Sequence, residues 1–151
     1  MSLLSKYFKK ANPDKKVIFI VEDNEVYAQT LSNYLEESFP NLLKIKTYSI
    51  GEMCLPDIER KPFIVIIDYF LNSKYEKASN GLEIIKRIKS IKPHTNIIVL
   101  SVQQDFSVII DAIRQYDCMY VQKDAEAFKK VQQLVTDIFN SEKPKIFEPV
   151  N

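Results

Sequence analysis

Glycine and histidine are scarce in this sequence of 151 residues, which has two glycines, Gly51 and Gly81, and one histidine, His94. The chain therefore has neither a P-loop nor a GxGxxG turn, which excludes nucleotide binding through a glycine-rich phosphate cradle. His94 stands between a lysine-rich stretch and an apolar run, as is typical of a histidine in a surface loop. We therefore do not expect a phosphohistidine or a histidine-centred metal site.

Long apolar runs, an excess of one charge and numerous cysteines are also missing. The longest apolar run is about six residues, which is too short to span a bilayer. The net charge of +1 gives no reason to expect direct nucleic-acid binding or an anionic membrane surface as a partner. Cys54 and Cys118 lie 64 positions apart without a secretory leader, so we expect free thiols in a cytoplasmic protein. With 46% hydrophobic residues, the chain can form one domain with a sizeable core.

Strand-like and helix-like patterns alternate along the chain. Apolar runs predict five strands, at 17–21, 43–47, 63–67, 96–100 and 118–122. Three of these runs are almost continuously apolar, which is typical of strands buried on both faces of a parallel sheet. Strict alternation of strands and helices predicts a doubly wound, three-layer α/β fold over residues 16–140. We expect residues 1–15 to form an N-terminal arm and residues 141–151 a C-terminal tail, which contains Pro144 and Pro149.

Four of the helix patterns are clear and one is weak. The first clear stripe follows Asn24, a potential N-cap, and the others lie around 84–91, 106–113 and 128–138. The residues of the first stripe are Tyr27, Leu31, Tyr34 and Leu35. The weak pattern lies at 50–60, where Ser49 and Glu52 have the spacing of a capping box but Pro56 limits the length of the helix.

Polar side chains follow four of the predicted strands. Glu22 and Asp23 follow the first strand, Asp68 the third, Ser101 the fourth and Lys123 the fifth. Each residue alone has a plain interpretation as a helix cap, a turn or a surface residue. Because the carboxyl ends of parallel strands meet at one edge of a sheet, their joint placement instead predicts one site at that edge.

This group of side chains suits magnesium-assisted phosphorylation of an aspartate. Mg²⁺ prefers oxygen ligands and keeps several waters, so Asp23 and Asp68 are candidate direct ligands, and Glu22 can hold a water bound to the ion. Asp68 is the candidate nucleophile, since carboxylates attack phosphoryl groups to form aspartyl phosphates. Ser101 and Lys123 are placed to contact the phosphoryl oxygens.

The chain resembles the receiver domain of two-component response regulators over about residues 16–140. The matching stretches are Ile18–Asn24, Val65–Tyr69, Asn80–Glu83, Val99–Ser101 and Tyr120–Lys123. The resemblance implies a flavodoxin-like (βα)5 fold, a five-stranded parallel sheet with strand order 2-1-3-4-5. It also implies Mg²⁺ as the cofactor, and a histidine kinase or phosphotransfer protein as the phosphate donor.

Individual roles follow from the same resemblance. Glu22 and Asp23 correspond to the acidic pair that binds Mg²⁺, and Asp68 to the phosphorylated aspartate, which is also a metal ligand. Ser101 and Lys123 correspond to the residues that read out the phosphate, so the resemblance implies catalytic roles for both. The backbone carbonyl of Phe70 corresponds to a further metal ligand, and Tyr120, with Ser101, to the switch residues.

The resemblance also implies that the domain signals by binding another protein, either a downstream partner or a second copy of the chain in a homodimer formed on phosphorylation. The implied binding surface is made by the helix near 104–115, the strand 118–122 and the helix 126–139.

The sequence departs from the family pattern at four places. Asn72 replaces a proline, and Gly81 comes 13 residues after the phosphorylated aspartate, which indicates an insertion in the segment 69–80. Asp124 replaces the proline that usually follows the lysine on a cis peptide bond, and a cis bond before another residue costs roughly 3 kcal/mol. Val102 stands where a small residue is usual, and the glycine before the last strand is replaced near Tyr116.

Three interpretations of function remain open. The first is a stand-alone receiver that is phosphorylated on Asp68 and catalyses only its own phosphotransfer and dephosphorylation. The second is a pseudo-receiver, a binding module without phosphotransfer, which is disfavoured because all five polar positions carry competent side chains. The third is an aspartate-nucleophile phosphohydrolase, a class in which a second aspartate follows two residues after the nucleophile, whereas this chain has Phe70 there.

Overall fold

Five parallel strands form one sheet in the order β2-β1-β3-β4-β5, which confirms the predicted fold. The computed structural model describes residues 14–71, 80–102 and 106–141, so most of the predicted arm (1–15) and tail (141–151) lies outside the described residues. Strands and helical segments are numbered in chain order. Their bounds are β1 Lys16–Val21, α1 Glu25–Ser38, β2 Leu43–Tyr48, α2 Gly51–Arg60, β3 Ile64–Asp68, α3 Gly81–Ile91, β4 Asn96–Ser101, α4 Phe106–Tyr116, β5 Met119–Gln122 and α5 Ala127–Ser141.

The sheet separates two apolar cores, because successive side chains of a strand point to opposite faces. Along β1, Ile18 and Ile20 face the core formed with α1 and α5, whereas Phe19 and Val21 face the core formed with α2, α3 and α4. Strand β3 alternates in the same way and is buried at every position. Burial on both faces explains why the central strands are continuous apolar runs in the sequence.

Asparagine residues cap the N-termini of α1 and α3, two helices that begin near the ends of β1 and β3. The Asn24 side chain accepts a hydrogen bond from the Tyr27 backbone N–H at 3.0 Å, which confirms it as the N-cap of α1. The Asn80 side chain accepts one from the Glu83 N–H at 3.0 Å at the start of α3. Each cap satisfies an N–H group that the helix itself leaves unpaired.

The prediction for the start of α2 was wrong. The segment is a 3₁₀ helix that begins at Gly51, with Ile50 at the N-cap position and no side-chain hydrogen bond there. Ser49 therefore lies one residue too early to cap it. Gly51 packs closely against α3, since a Cβ at this position would lie 2.5 Å from Ile84 Cγ1.

The glycine that is usual before β5 is missing near Tyr116, and in this stretch the adjacent residue Asp117 has the left-handed backbone conformation, with φ of 52°. Aspartate tolerates this conformation better than most residues because its short side chain can hydrogen-bond locally. Every peptide bond in the described ranges, including Lys123–Asp124, is trans.

Three smaller expectations concern the thiols, the histidine and membrane spans. Cys54 and Cys118 are free thiols, the first buried and the second half-buried. His94 is exposed in the loop between α3 and β4, as predicted. No helix in the described part of the chain has the length and apolar character needed to cross a membrane.

Candidate functional site

The candidate site lies at the carboxyl edge of the sheet, where four neighbouring strands end. Glu22 and Asp23 directly follow β1, and Lys123 directly follows β5. Asp68 and Ser101 are the last residues of β3 and β4. The strands lie side by side in the order β1-β3-β4-β5, so residues from distant parts of the sequence meet at this edge.

The Lys123 ammonium connects the two most buried acids of the site. Its Nζ lies 2.5 Å from Glu22 Oε2 and 3.2 Å from Asp68 Oδ2. All three side chains are shielded from water, with exposed fractions of 12% for Lys123, 1% for Glu22 and 9% for Asp68. Buried charges are stable only when they are paired, so this contact is part of the folded structure rather than a transient surface ion pair.

Backbone donors fix the other carboxylate oxygens. Glu22 Oε1 accepts a hydrogen bond from the Asn24 N–H at 3.1 Å, and Asp68 Oδ1 accepts one from the Phe70 N–H at 3.0 Å. Both oxygens of Glu22 therefore have a protein partner. The Asp68 carboxylate is held between the chain that follows it and the Lys123 ammonium.

Burial, together with the charges of neighbouring groups, shifts the pKa values of the site. Burial raises the pKa of Glu22 to about 7 against the opposing hydrogen bond from Lys123, and the charge of Asp68 raises it further. Burial likewise raises the pKa of Asp68, whereas the charge of Lys123 lowers it. Burial alone lowers the pKa of Lys123, but its hydrogen bond with Glu22 and the charge of Asp68 outweigh burial and raise it. A cation bound beside these acids would relieve their repulsion.

The acidic group has the composition of a magnesium site. Glu22, Asp23 and Asp68 each place a carboxylate oxygen within 4.8 Å of the others. Carboxylate oxygens are the protein ligands that Mg²⁺ prefers, and the half-exposed Asp23 leaves room for the waters that this ion retains. The residues therefore fit a magnesium ion. The Phe70 carbonyl, predicted as a further ligand, belongs to the residue whose N–H holds Asp68.

The two predicted switch residues lie on the same face of the sheet. Tyr120 pairs with Val99 across β4 and β5, and both pack in the core that α3 and α4 cover. Ser101 follows Val99 by two positions and therefore points to the same face. Ser101 is fully buried, and its carbonyl accepts a hydrogen bond from the Lys123 N–H at 2.8 Å. The backbone thus joins Ser101 directly to the residue that contacts Asp68.

Gly81 brings the start of α3 against the Asp68 backbone despite the inserted segment, of which 72–79 lies outside the described residues. A Cβ at Gly81 would lie 2.3 Å from the Asp68 carbonyl oxygen and 2.7 Å from Tyr69 Cα. The Gly81 N–H also donates a hydrogen bond to the Tyr69 carbonyl at 3.1 Å. The close approach explains a glycine here, because only a residue without a side chain fits.

Tyr27 contacts the site, although the sequence pattern indicated only a core position in α1. The Lys123 Nζ lies over the Tyr27 ring, 4.5 Å from its centroid. The available signal was its place in the first turn of the helix that follows the acidic pair, where a side chain points back toward the N-terminus and the sheet edge.

Comparisons with known proteins agree with this geometry. The family model described as "Response regulator receiver domain" matches residues 18–138. A response regulator receiver domain protein from Clostridium thermocellum is similar in structure, with a TM-score of 0.70 at 22% identity over 85% of this chain and 97% of the other. The BeF3-activated receiver domain of DrrB gives a TM-score of 0.66 at 24% identity over 83% of this chain and 98% of the other.

A third similar structure is the RcsB response regulator of Salmonella typhimurium, described in connection with DNA interaction, with a TM-score of 0.71 at 18% identity. The similarity covers 91% of this chain and 64% of the RcsB chain. No curated protein sequence matches the chain. The family match extends over most of the sequence and includes all five polar strand-end residues. The chain therefore belongs to the response regulator receiver domain family.

Proposed function

We propose that this receiver domain accepts a phosphoryl group on Asp68 from a histidine kinase or phosphotransfer protein and signals through a protein partner. The observation that carries the proposal is the Lys123 ammonium held between Glu22 and Asp68, at 2.5 and 3.2 Å, within a cluster of three carboxylates. In this proposal Asp68 is the nucleophile, Lys123 supplies positive charge beside it, and the acidic pair Glu22 and Asp23 serves the metal ion.

The chemistry begins with attack of an Asp68 carboxylate oxygen on the phosphorus of the donor. The new O–P bond forms as the N–P bond of the donor phosphohistidine breaks, and its electron pair leaves with the imidazole, which takes up a proton. Two contacts hold the Asp68 carboxylate for this attack, the Phe70 N–H on Oδ1 and Lys123 on Oδ2. A fixed nucleophile lowers the entropic part of the barrier. The nearby ammonium offsets the charge that develops on the phosphoryl oxygens.

The residues that would hold Mg²⁺ are Asp23, Asp68 and the Phe70 carbonyl, with Glu22 in an indirect role. Glu22 suits an indirect role because both of its carboxylate oxygens already accept hydrogen bonds from protein groups. When bound, the ion supplies positive charge that offsets the repulsion between the acids and the incoming phosphoryl group.

The output follows from the contacts of Ser101 and Tyr120. On phosphorylation the Ser101 hydroxyl moves toward the phosphoryl group, and Tyr120 turns inward into the space beside β4. The surface that changes is formed by α4, β5 and α5, and it would bind a downstream protein or a second copy of the chain. Tyr120→Ala is expected to weaken phosphate-dependent binding without blocking phosphorylation, as hydrogen exchange and partner binding would measure. If activation changes only the segment 69–80, the output surface lies in that segment instead.

The decisive test is incubation with acetyl phosphate and Mg²⁺, followed by detection of an acid-stable, base-labile phosphoryl adduct. Wild type is expected to be modified, and Asp68→Asn is expected to lose the modification because an amide oxygen is a poor nucleophile. Asp111→Asn, which changes an exposed carboxylate on α4, is the matched control and should react as wild type does. An unmodified wild type would support the pseudo-receiver, and multiple turnover of an added phosphate ester would support the phosphohydrolase.

A further inference from the structure

The ring of Tyr27 is the third group that contacts the Lys123 ammonium. Glu22 and Asp68 contact Nζ as hydrogen-bonding partners, and the Tyr27 ring covers it at 4.5 Å from the ring centroid. An ammonium above an aromatic face is attracted by the negative charge of the ring face, more strongly when water is excluded. Because the Lys123 side chain is only 12% exposed, this contact belongs to the stronger kind.

Two sets of contacts position Tyr27. Its backbone N–H donates to the Asn24 side chain at 3.0 Å, and the Asn24 N–H donates to Glu22 at 3.1 Å. One short stretch of chain therefore positions both the Glu22 carboxylate and the aromatic ring. The ring of Phe128 from α5 also packs edge-on against the Tyr27 ring, with 5.4 Å between the ring centroids.

The hydroxyl of Tyr27 behaves differently from its ring. It is buried and has no hydrogen-bond partner among the described protein groups. Burial of an unpartnered hydroxyl costs stability, so the hydroxyl is assigned no part in holding Lys123. Burial also raises the pKa of Tyr27, which keeps the hydroxyl protonated at neutral pH. The ring and the hydroxyl can be separated experimentally by Tyr27→Phe and Tyr27→Leu.

We propose that Tyr27 is a positioning residue for phosphoryl transfer: its ring face holds the Lys123 ammonium against Glu22 and Asp68. The inference rests on the proposed function, because Lys123 is the residue expected to meet the incoming phosphoryl oxygens. A lysine side chain has many rotamers, and ordering it costs conformational entropy. Contact with the ring orders the lysine side chain when the protein folds. The entropy loss therefore does not add to the barrier of phosphoryl transfer, and the ammonium is in place before the phosphoryl group arrives.

The first measurement is the rate of phosphorylation by acetyl phosphate in Mg²⁺. Tyr27→Leu removes the ring face and is expected to lower the rate about two- to thirtyfold, the range of a cation–π contact. Tyr27→Phe keeps the ring and should retain a rate close to that of wild type. Tyr34→Leu is the matched control, because the Tyr34 ring also packs on Phe128, with 5.4 Å between the ring centroids, whereas the Lys123 ammonium lies over the Tyr27 ring.

The second measurement does not depend on phosphorylation. In the metal-free protein, NMR of the lysine CεH₂ groups should show an upfield-shifted signal from Lys123, since protons above an aromatic face are shielded. Lys16 over Phe63 and Lys46 over Tyr48, at 5.3 and 5.2 Å from the ring centroids, should give separate shifted signals. The signal that is lost in Lys123→Gln is that of Lys123. The shift should persist in Tyr27→Phe and Tyr34→Leu and disappear in Tyr27→Leu, whereas a purely packing role of Tyr27 would leave Lys123 unshifted in all variants.

The outcomes separate this inference from the proposed function. If wild type is phosphorylated but Tyr27→Leu reacts equally fast, or Tyr34→Leu slows as much, the positioning role is overturned and the receiver function stands. A rate for Tyr27→Phe as low as that of Tyr27→Leu would equally overturn the role of the ring. If wild type is not phosphorylated at all, the proposed function fails, and the Lys123 shift alone decides whether Tyr27 holds the ammonium. The wild-type shift also decides the matter if Tyr27→Leu does not fold.

Discussion

The two edges of the sheet both carry clusters of charged residues, but the clusters are built differently. At the carboxyl edge, Glu22 and Asp68 are buried, and both contact the ammonium of Lys123, whose side chain is 12% exposed. At the amino edge, an open cavity of about 430 Å³ is lined by four cationic side chains, one carboxylate and His94, all of them exposed. The cationic residues and the carboxylate are Lys15, Lys16, Arg60, Lys61 and Asp14.

This difference shows which property distinguishes a chemical site from a charged surface. Exposed lysines and arginines stay largely hydrated, so salt screens their charges and ion pairs between them and acids contribute little. Buried charges must be paired, and pairing fixes their positions at the time of folding. The amino-edge cavity has five charged side chains, all of them exposed, yet only the carboxyl edge, among the described residues, holds buried carboxylates against an ammonium.

We expect the largest effect, on Mg²⁺ binding, when a carboxylate is neutralised at the carboxyl edge, and none from the same change at the amino edge. Asp23→Asn should weaken Mg²⁺ binding by more than about tenfold, because it removes a unit charge next to the ion. The loss should appear both in the Mg²⁺ dependence of phosphorylation and in direct titration with the metal. Asp14→Asn removes an exposed carboxylate at the amino edge and should leave both unchanged.

Two results would break this comparison. One is full phosphorylation of Asp23→Asn at limiting Mg²⁺, or of wild type in excess chelator. The other is an effect of Asp14→Asn as large as that of Asp23→Asn, which would mean that charge anywhere on the protein controls the ion.

A second comparison uses the two glycines. In Gly81→Ala the new methyl group would meet the Asp68 carbonyl and the Tyr69 backbone, which cannot move without displacing the site. We expect a loss of roughly 1–3 kcal/mol in stability, as for other overpacked positions, together with slower phosphorylation. In Gly51→Ala the methyl group meets side-chain atoms of Ile84 and Leu71. That variant should lose stability in denaturant titration but keep the phosphorylation rate, and slowing of both variants alike would contradict the role assigned to Gly81.

Most of the fold could be predicted from the sequence, because the central strands are buried on both faces. The runs around Ile20, Ile66 and Ile98 are too short for helices and too apolar for loops, and each ends in a polar residue. Parallel alignment of those ends follows from the alternation with helices, so the meeting of Glu22, Asp23, Asp68 and Lys123 could be predicted before the structure was known.

The features that escaped prediction depend on contacts between distant segments. The segment α2 is a 3₁₀ helix that starts at Gly51, which packs closely on Ile84, and the left-handed conformation before β5 lies at Asp117. The ring of Tyr27 meets Lys123 across 96 positions of sequence. None of these partners is visible in local periodicity, which reports only the face of an element that is buried.

A smaller effect is expected on the lifetime of the phosphorylated protein. Phe70 follows the nucleophile by two residues, is 38% exposed and packs edge-on against Tyr69, with 5.0 Å between the centroids. We expect its ring to shield the aspartyl phosphate from attacking water, with help from the bulk of Val102. Phe70→Asn should therefore lose phosphate several times faster than wild type, in a decay assay after removal of the donor. Met53→Asn, which changes an exposed apolar residue of α2, should decay at the wild-type rate, and equal decay of all three would refute shielding.

The smallest effect is expected at the amino edge, where Lys61 has a left-handed backbone with φ of 54°. A lysine pays about 1–2 kcal/mol for this conformation, and glycine avoids that cost but loses part of the gain through its greater freedom in the unfolded chain. Lys61→Gly should therefore raise the free energy of unfolding by roughly 0.5 kcal/mol. Lys61→Ala removes the same charge but retains the strain, so it should give no gain if the backbone, and not charge repulsion within the cavity, is the cause. Both variants should be phosphorylated at the wild-type rate, because the strained residue lies at the opposite edge of the sheet from Asp68. A change in that rate would show that the two edges are coupled and that the amino-edge cluster takes part in the chemistry.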